Sequence, residues 1–246
     1  MRLLLMCDAH VGNSIAERLM ECHTQDLGAV VTIANGKVHQ AARNKGIPSF
    51  VFRSQAQIAA ELAASPRFDL GILAWWPKLI SPELMALAER GFINTHPSML
   101  PYNRGKHYSF WALIEQAPFG VSLHYVDQGI DSGDVVVQQT IPYDWEDTGE
   151  TLHVKAGQAM VELFKSAYPS LRNGTLQRVP QDLNKGSFHY ANEIDAASRI
   201  ELDRTYTARE LLNLLRARTF AGYPACRFED CGETYEISVN IKRKST

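Results

Sequence analysis

Residues 70–97 read Leu-Gly-Ile-Leu-Ala-Trp-Trp-Pro-Lys-Leu-Ile-Ser-Pro-Glu-Leu-Met-Ala-Leu-Ala-Glu-Arg-Gly-Phe-Ile-Asn-Thr-His-Pro. Leu70 to Trp75 is an unbroken apolar run. It lacks the alternation of a strand with one face in water, so it reads as a strand covered on both faces. Pro82 suits the first position of a helix, which the spacing carries through Glu89, and Gly91 closes it. Gly91 to His96 is the next extended run. Pro97 stops it, because the residue before a proline is held extended and the proline has no N–H for a ladder. Strand, helix and strand in so short a span form the crossover unit of a parallel sheet.

The same alternation extends outward in both directions. Before this unit come strands at Leu3–Cys7, Ala29–Ala34 and Ser49–Phe52, with helices near Ile15–Cys22, Val38–Lys45 and Ala56–Ala64. After it, Phe110–Glu115 is a short helix, and Val121–Val126 and Val135–Ile141 are extended around a Gly/Asp-rich loop. Thr151–Tyr168 is the longest helix, capped by Thr148 or Thr151, and its stripe from Leu152 to Phe164 faces a sheet. Residues 172–206 are polar and without helical period. Thr207–Arg218 is amphipathic with Thr207 as N-cap, and Ala225–Glu229 with Thr234–Ile241 make a hairpin around Cys231-Gly232. The expected organisation is an α/β unit over 1–171, an irregular linker over 172–206, and a small helix-plus-β-hairpin appendage over 207–246.

Composition excludes several classes. The 246 residues are 45% hydrophobic and 21% charged, which is globular rather than disordered. Lys and Arg number 25 against 27 Asp and Glu, for a net charge of −2, so no global positive field exists to hold a nucleic acid. The four cysteines form no CxxC pair and no zinc-ligand spacing, which reads as reduced thiols in a cytoplasmic protein. The run from Leu3 to Met6 is too short for a signal-peptide core. No stretch approaches the roughly 18 apolar residues of a membrane span.

Chemistry concentrates in two places. Asn94 and His96 lie two apart in a strand, so they share a face at its carboxyl end, the edge where open parallel sheets bind ligands. Asn donates hydrogen bonds to developing negative charge, and His moves protons near neutral pH. Satisfaction of both by local backbone remains an equal reading of these residues alone. The second place is Asp127-Gln128-Gly129-Ile130-Asp131-Ser132-Gly133-Asp134, a loop that a plain hairpin turn also explains. It lacks the closing Glu of a calcium loop. His124 in the preceding strand reads most simply as a packed strand histidine.

Together these segments carry a resemblance. Asn94-Thr95-His96-Pro97-Ser98-Met99-Leu100-Pro101 is similar to the N-x-H-x-S-x-L-P signature of the N10-formyltetrahydrofolate-dependent formyltransferases. Gly120 to His124 and Gly129 to Asp134 resemble that family's second signature, and Asp147-Thr148 before a long helix fits as well. The match is good over about 68–165 and weak over the first 65 residues. It implies a doubly wound, Rossmann-like, mostly parallel sheet, with 1–171 as the catalytic domain and Asn94, His96 and Asp131 as the catalytic set, without a metal. The folate co-substrate is then expected to meet the loop of Trp75, Trp76, Pro77 and Leu79, and Gln128 and Ile130.

The family divides by acceptor. Members acting on initiator tRNA resemble this chain less: Asn35 to Gln40 carries one cation and no proline where a basic loop is expected, and the appendage is short. The purine enzymes leave 172–246 unexplained. The nucleotide-sugar formyltransferases are most similar, through Pro101 to Trp111 and Arg216 to Pro224. That resemblance implies a nucleotide-linked amino sugar as acceptor, met by Lys78, Arg104, Lys106 and Tyr223, and a homodimer paired through the hairpin. Other readings left open are a formyltransferase on glycinamide ribonucleotide or methionyl-tRNA, a formyltetrahydrofolate hydrolase, and a non-catalytic folate- or nucleotide-binding protein.

Overall fold

A computed structural model describes residues 1–244 of the chain. The first half alternates β1 (Leu3–Cys7), α1 (Ala9–Cys22), β2 (Leu27–Thr32), α2 (Lys37–Asn44), β3 (Ser49–Val51), α3 (Gln55–Ala63), β4 (Leu70–Ala74), α4 (Pro82–Met85) and β5 (Phe92–His96). Every residue of β1, β2 and β4 is buried, as their uninterrupted apolar sequences require. Next come β6 (Arg104–Gly105), α5 (Tyr108–Glu115), β7 (Gly120–Tyr125), β8 (Val135–Thr140) and α6 (Gly149–Asn173). Last are β9 (Phe188–His189), α7 (Glu193–Ala197), α8 (Ala208–Arg218), β10 (Cys226–Asp230) and β11 (Glu233–Ile237).

The main sheet has seven strands in the order β3-β2-β1-β4-β5-β7-β8. β1 to β5 run parallel, while β7 is antiparallel to both β5 and β8. The chain winds outward from β1 in both directions, which is the doubly wound arrangement. One face is covered chiefly by α1, α5 and α6, the other by α3 and α4. β10 and β11 form a separate antiparallel hairpin, so the fold is an α/β sheet with a helix-and-hairpin appendage.

Several boundaries differ from those the sequence suggests: β11 ends at Ile237 rather than Ile241, and the stretch 172–206, expected to be irregular, contains β9 and α7. α1 begins at Ala9, not near Ile15, because Val11 and Gly12 are buried against the sheet. A Cβ on Gly12 would stand 2.3 Å from the Ala74 carbonyl oxygen, so only glycine lets the helix start so close to β4. α4 stops at Met85, not Glu89, because the backbone beyond it joins Phe68: the Glu89 N–H donates to the Phe68 carbonyl at 2.9 Å. α6 continues past Pro169 to Asn173. Leu171 is buried there, and Arg172 holds the buried Asp26 through Nε at 2.8 Å, which offsets the hydrogen bond the proline removes. No helix among the described residues is long and apolar enough to cross a membrane.

Candidate functional site

The site forms where β5 and β7 pair. Asn94 lies directly opposite His124, and His96 opposite Ser122. Period-two alternation therefore puts four polar side chains on one face of two otherwise apolar strands. Ser122 fixes the turn after β5. Its Oγ donates to the Ser98 carbonyl at 2.7 Å and accepts from the Leu100 N–H and the Gln138 amide. Thr95, on the opposite face, accepts from the Trp75 N–H at 2.8 Å and donates to the Leu73 carbonyl. It thereby ties the end of β4 to β5.

Asp131 reaches this face from the loop between β7 and β8, with φ +53, a left-handed conformation uncommon for a residue with a side chain. Its Oδ2 is 3.4 Å from His96 Nδ1 and accepts from the Gly105 N–H at 3.0 Å. Its Oδ1 is 3.6 Å from His124 Nε2 and accepts from the Asn94 amide at 3.4 Å. Because a carbonyl only accepts, the contact of His124 Nδ1 with the Tyr125 oxygen at 2.9 Å puts a proton on Nδ1. His124 Nε2, 3.2 Å from Asn94 Nδ2, then accepts from the Asn94 amide when the ring is neutral. Asn94, His96, His124 and Asp131 thus form one hydrogen-bonded and charge-paired centre.

Electrostatics separates the roles. Burial pushes the His96 imidazole below its ordinary value, and the neighbouring Asp131 charge recovers only part of that. Burial alone would raise Asp131. The charge that His96 carries when protonated, the hydrogen bond and charge that His124 offers when protonated, and the Gly105 N–H outweigh it and hold the carboxyl well below the usual range. The centre rests as a neutral His96 beside an ionised Asp131. His96, His124 and Asp131 also have the donor types of a metal site, with ligand atoms within 4.8 Å of one another. The Asn94 amide already occupies lone pairs on His124 and Asp131 from within that group.

A pH dependence of stability follows. A histidine whose value is lowered by folding stabilises the fold fully above its unfolded value, near 6.5, and loses that contribution as pH falls below it. Asp131, held low, is ionised in both states until pH approaches 4 and is silent in this window. Wild-type Tm therefore falls between about pH 7.5 and 5.5, by 2–4 °C per kcal/mol lost. The fall is steeper than in His96→Asn. Equal slopes in thermal scans of the two proteins would contradict a neutral, buried His96.

The other residues singled out from sequence occupy distinct positions. Trp75 and Trp76 lie on different faces of the sheet. Trp75 takes φ +54 and packs with Tyr108 and His153, whereas Trp76 is buried on the opposite face of the sheet, edge-on to Phe52. The left-handed turn at Trp75 sends the two indoles to opposite sides. Pro77, Leu79, Gln128 and Ile130 are exposed on loops following β4 and β7. Lys78 is exposed above the Phe52 ring, and Lys106 is exposed beside the centre. Arg104 is half-buried, with an Nε that has no partner in the protein. Tyr223 is 65% exposed, but rings connect it to the first unit: Tyr223 to Phe220 at 5.0 Å, Phe220 to His153 at 5.5 Å, and His153 to Trp75 at 6.1 Å.

His124 is the member of the centre that sequence reasoning left as packing. Its signal was the pair Ser122 and His124 on one face of an apolar strand, the same pattern as Asn94 and His96. A cavity of about 620 Å³ on the appendage, between Arg199–Arg204 and the hairpin tip, is lined mainly by charged side chains. Arg199 there is already paired with Glu229 at 3.0 Å. The buried titratable cluster lies at the strand ends instead.

A doubly wound sheet with an Asn/His/Asp centre at the carboxyl end of a central strand defines the class of protein. The family described as formyl transferase matches residues 4–167, and the chain belongs to that family. Residues 193–243 match the N-formyltransferase dimerization C-terminal domain. A sugar N-formyltransferase from a Shewanella species shares 21% identity over 100% of this chain and 99% of its own, with a TM-score of 0.82. A 4-N formyltransferase from Francisella tularensis shares 20% over 99% and 98%, with a TM-score of 0.79. An N-formyltransferase from Helicobacter canadensis, solved with folinic acid and dTDP-3-aminofucose, shares 19% over 94% and 85%, with a TM-score of 0.72.

Proposed function

We propose that this protein transfers a formyl group from N10-formyltetrahydrofolate to the primary amine of a nucleotide-linked amino sugar, of the dTDP- or GDP-4-amino-4,6-dideoxyhexose type, in glycan precursor synthesis. The observation that carries the reaction class is the buried centre of neutral His96 and ionised Asp131 beside the Asn94 amide. It contains no thiol or hydroxyl nucleophile, which suits direct transfer between two nitrogens. The acceptor class is supported by a likeness to a sugar N-formyltransferase that runs through the appendage as well as the sheet.

The folate co-substrate, when bound, supplies the activated formyl group. The Asn94 amide and the exposed apolar side chains of Leu79 and Ile130, on loops that are exposed at 77–79 and 127–130, fit a flat, polar-edged ligand. Asn94 turns one of its two N–H groups from His124 or Asp131 to the formyl oxygen as that oxygen gains negative charge. His96, held neutral by burial, accepts the proton that the attacking amine sheds and returns it to the departing nitrogen. Asp131 orients the imidazole and stabilises its charged form. None of these steps needs a metal.

On this reading Lys78, Arg104 and Lys106 meet the nucleotide diphosphate, and Tyr223 meets the rest of the nucleotide. Residues 1–171 are the catalytic domain, 172–206 the connection, and 207–246 the pairing unit of a homodimer. Tyr235 and Ile237 on the exposed β11 edge, 47% and 37% accessible, support that pairing. The compartment proposed is the cytoplasm, supported by four cysteines without CxxC or zinc-ligand spacing.

The test offers purified protein and N10-formyltetrahydrofolate a panel of dTDP-, GDP- and UDP-linked amino sugars, glycinamide ribonucleotide, charged initiator tRNA, and water alone. The expected result is tetrahydrofolate release matched by a formyl mass gain on one amino sugar. Release with water alone, transfer to another acceptor, or no turnover across the panel overturns the proposal.

A further inference from the structure

Between α6 and β9 the chain crosses beneath the centre. Val179 exchanges two backbone hydrogen bonds with Val135, at 2.8 and 2.9 Å, which docks this segment on the start of β8. Two residues on, the Gln181 side-chain amide donates to the Asp131 carbonyl at 3.0 Å and to the Gly133 carbonyl at 2.7 Å. Both of its hydrogens are thus used on the backbone either side of Ser132. The ties from Asp127, to the Gly129 N–H and Ser132 Oγ, are internal to the loop. The Gln181 amide instead anchors the loop from outside, at the residue held at φ +53.

The same segment also holds the opposite half of the centre. Ser187 Oγ accepts from the Asn103 N–H at 3.1 Å and donates to Glu115 at 2.7 Å. The Arg104 and Lys106 N–H groups donate to the Ser187 and His189 carbonyls, both at 3.0 Å. Between those two ladder bonds lies Gly105, whose own N–H donates to Asp131. A Cβ on Gly105 would stand 2.3 Å from the His189 carbonyl, so the approach is already as close as backbone allows. Gln181 Oε1 is buried with no partner in the protein, which fits an amide oriented by the needs of its N–H groups.

We propose that Gln181 is a positioning residue for the formyl-transfer centre: its amide, clamping the carbonyls of Asp131 and Gly133, sets the Asp131 carboxylate against His96, His124 and Gly105. The proposal rests on the function proposed above. Gln181 touches none of the four members of the centre through its side chain except by that backbone contact, so its effect is on alignment. Catalytic geometry is steep in distance, and a displacement near 1 Å costs about 10²-fold in rate.

The experiment compares wild type with Gln181→Leu, which keeps most of the volume without donors, in steady-state kinetics and in NMR titration of the histidine rings. The expected result is a kcat lowered about 10- to 100-fold, a KM for the formyl donor changed less than about twofold, and a shifted titration midpoint for His96. Where the Leu variant does not fold, Gln181→Glu serves, since it loses both N–H donors at nearly unchanged shape. A variant with a lowered Tm but wild-type kcat and wild-type titrations overturns the proposal and leaves a purely structural glutamine. Should the wild type transfer no formyl group, the functional reading fails by itself. A shifted His96 titration in the variant still supports the positioning role in that case, and an unshifted one overturns it too.

Discussion

Replacing His96 with Asn lowers kcat for formyl transfer by about 10²- to 10⁴-fold, the range that a positioned proton-transfer group supplies. The argument rests on three observations. The ring is buried, which disfavours its charged form and leaves it neutral and able to accept a proton. Asp131 Oδ2 lies 3.4 Å from Nδ1, so the charge His96 acquires is met without rearrangement. Pro97 and the Ser122–Ser98 hydrogen bond fix the backbone beyond β5, so the imidazole is held in place. Asn keeps a polar group at the position of Nδ1 but moves no proton. Equilibrium binding of the folate is expected to change less than threefold. The pH profile of the wild type should show an acidic limb below pH 6.5, because protonated His96 accepts nothing. Retention of more than a tenth of wild-type kcat would remove His96 from the proton path.

The second large effect is at Asn94. Truncation to Ala is expected to cost about 10² to 10³ in kcat, equivalent to roughly 2.7–4 kcal/mol, the loss on removing one preorganised donor to developing negative charge. Asn94→Asp is the sharper test. It conserves shape, but it replaces the N–H donors with a second carboxylate beside Asp131, where the present amide-to-carboxylate contact is 3.4 Å. Like charges so close raise one of the two pKa values and repel an anionic oxygen. Asn94→Asp should therefore be at least as slow as Asn94→Ala. If spacing were all that Asn94 provided, the Asp variant would stay within about threefold of wild type in single-turnover measurements.

Much of this protein was legible in the order of its residues. The apolar runs Leu3–Cys7 and Leu70–Ala74 have no polar face, and an element without one must be buried on both sides, so a parallel layered sheet followed directly. Asn94 and His96 could be placed together because strand alternation is local. The N-cap Thr207 was readable for the same reason, since a hydroxyl three residues from its partner N–H needs no distant contact, whereas the cap of α6 was narrowed only to Thr148 or Thr151 and is Thr148. The resemblance added Asp131, which composition alone left as an ordinary turn.

Tertiary structure decided what depends on separate segments meeting. The pairing of β5 with β7 put His124 opposite Asn94, and no feature within either strand states which residues will face each other across a ladder. Trp75 and Trp76 are adjacent in the chain yet lie on opposite faces of the sheet, because a left-handed residue between β4 and its loop is a property of the packed backbone. α6 runs on through Pro169 because Asp26, far away in the chain, meets Tyr168 and Arg172 there. Gln181 sits in a polar stretch without periodicity, and only the folded chain brings its amide to the Asp131 loop. Sequence determined the strands and helices of the main sheet and the chemical types at the strand ends, since both follow from local geometry and from which side chains water will accept. The fold decided the partners, because long-range contacts are set by how the buried faces fit together.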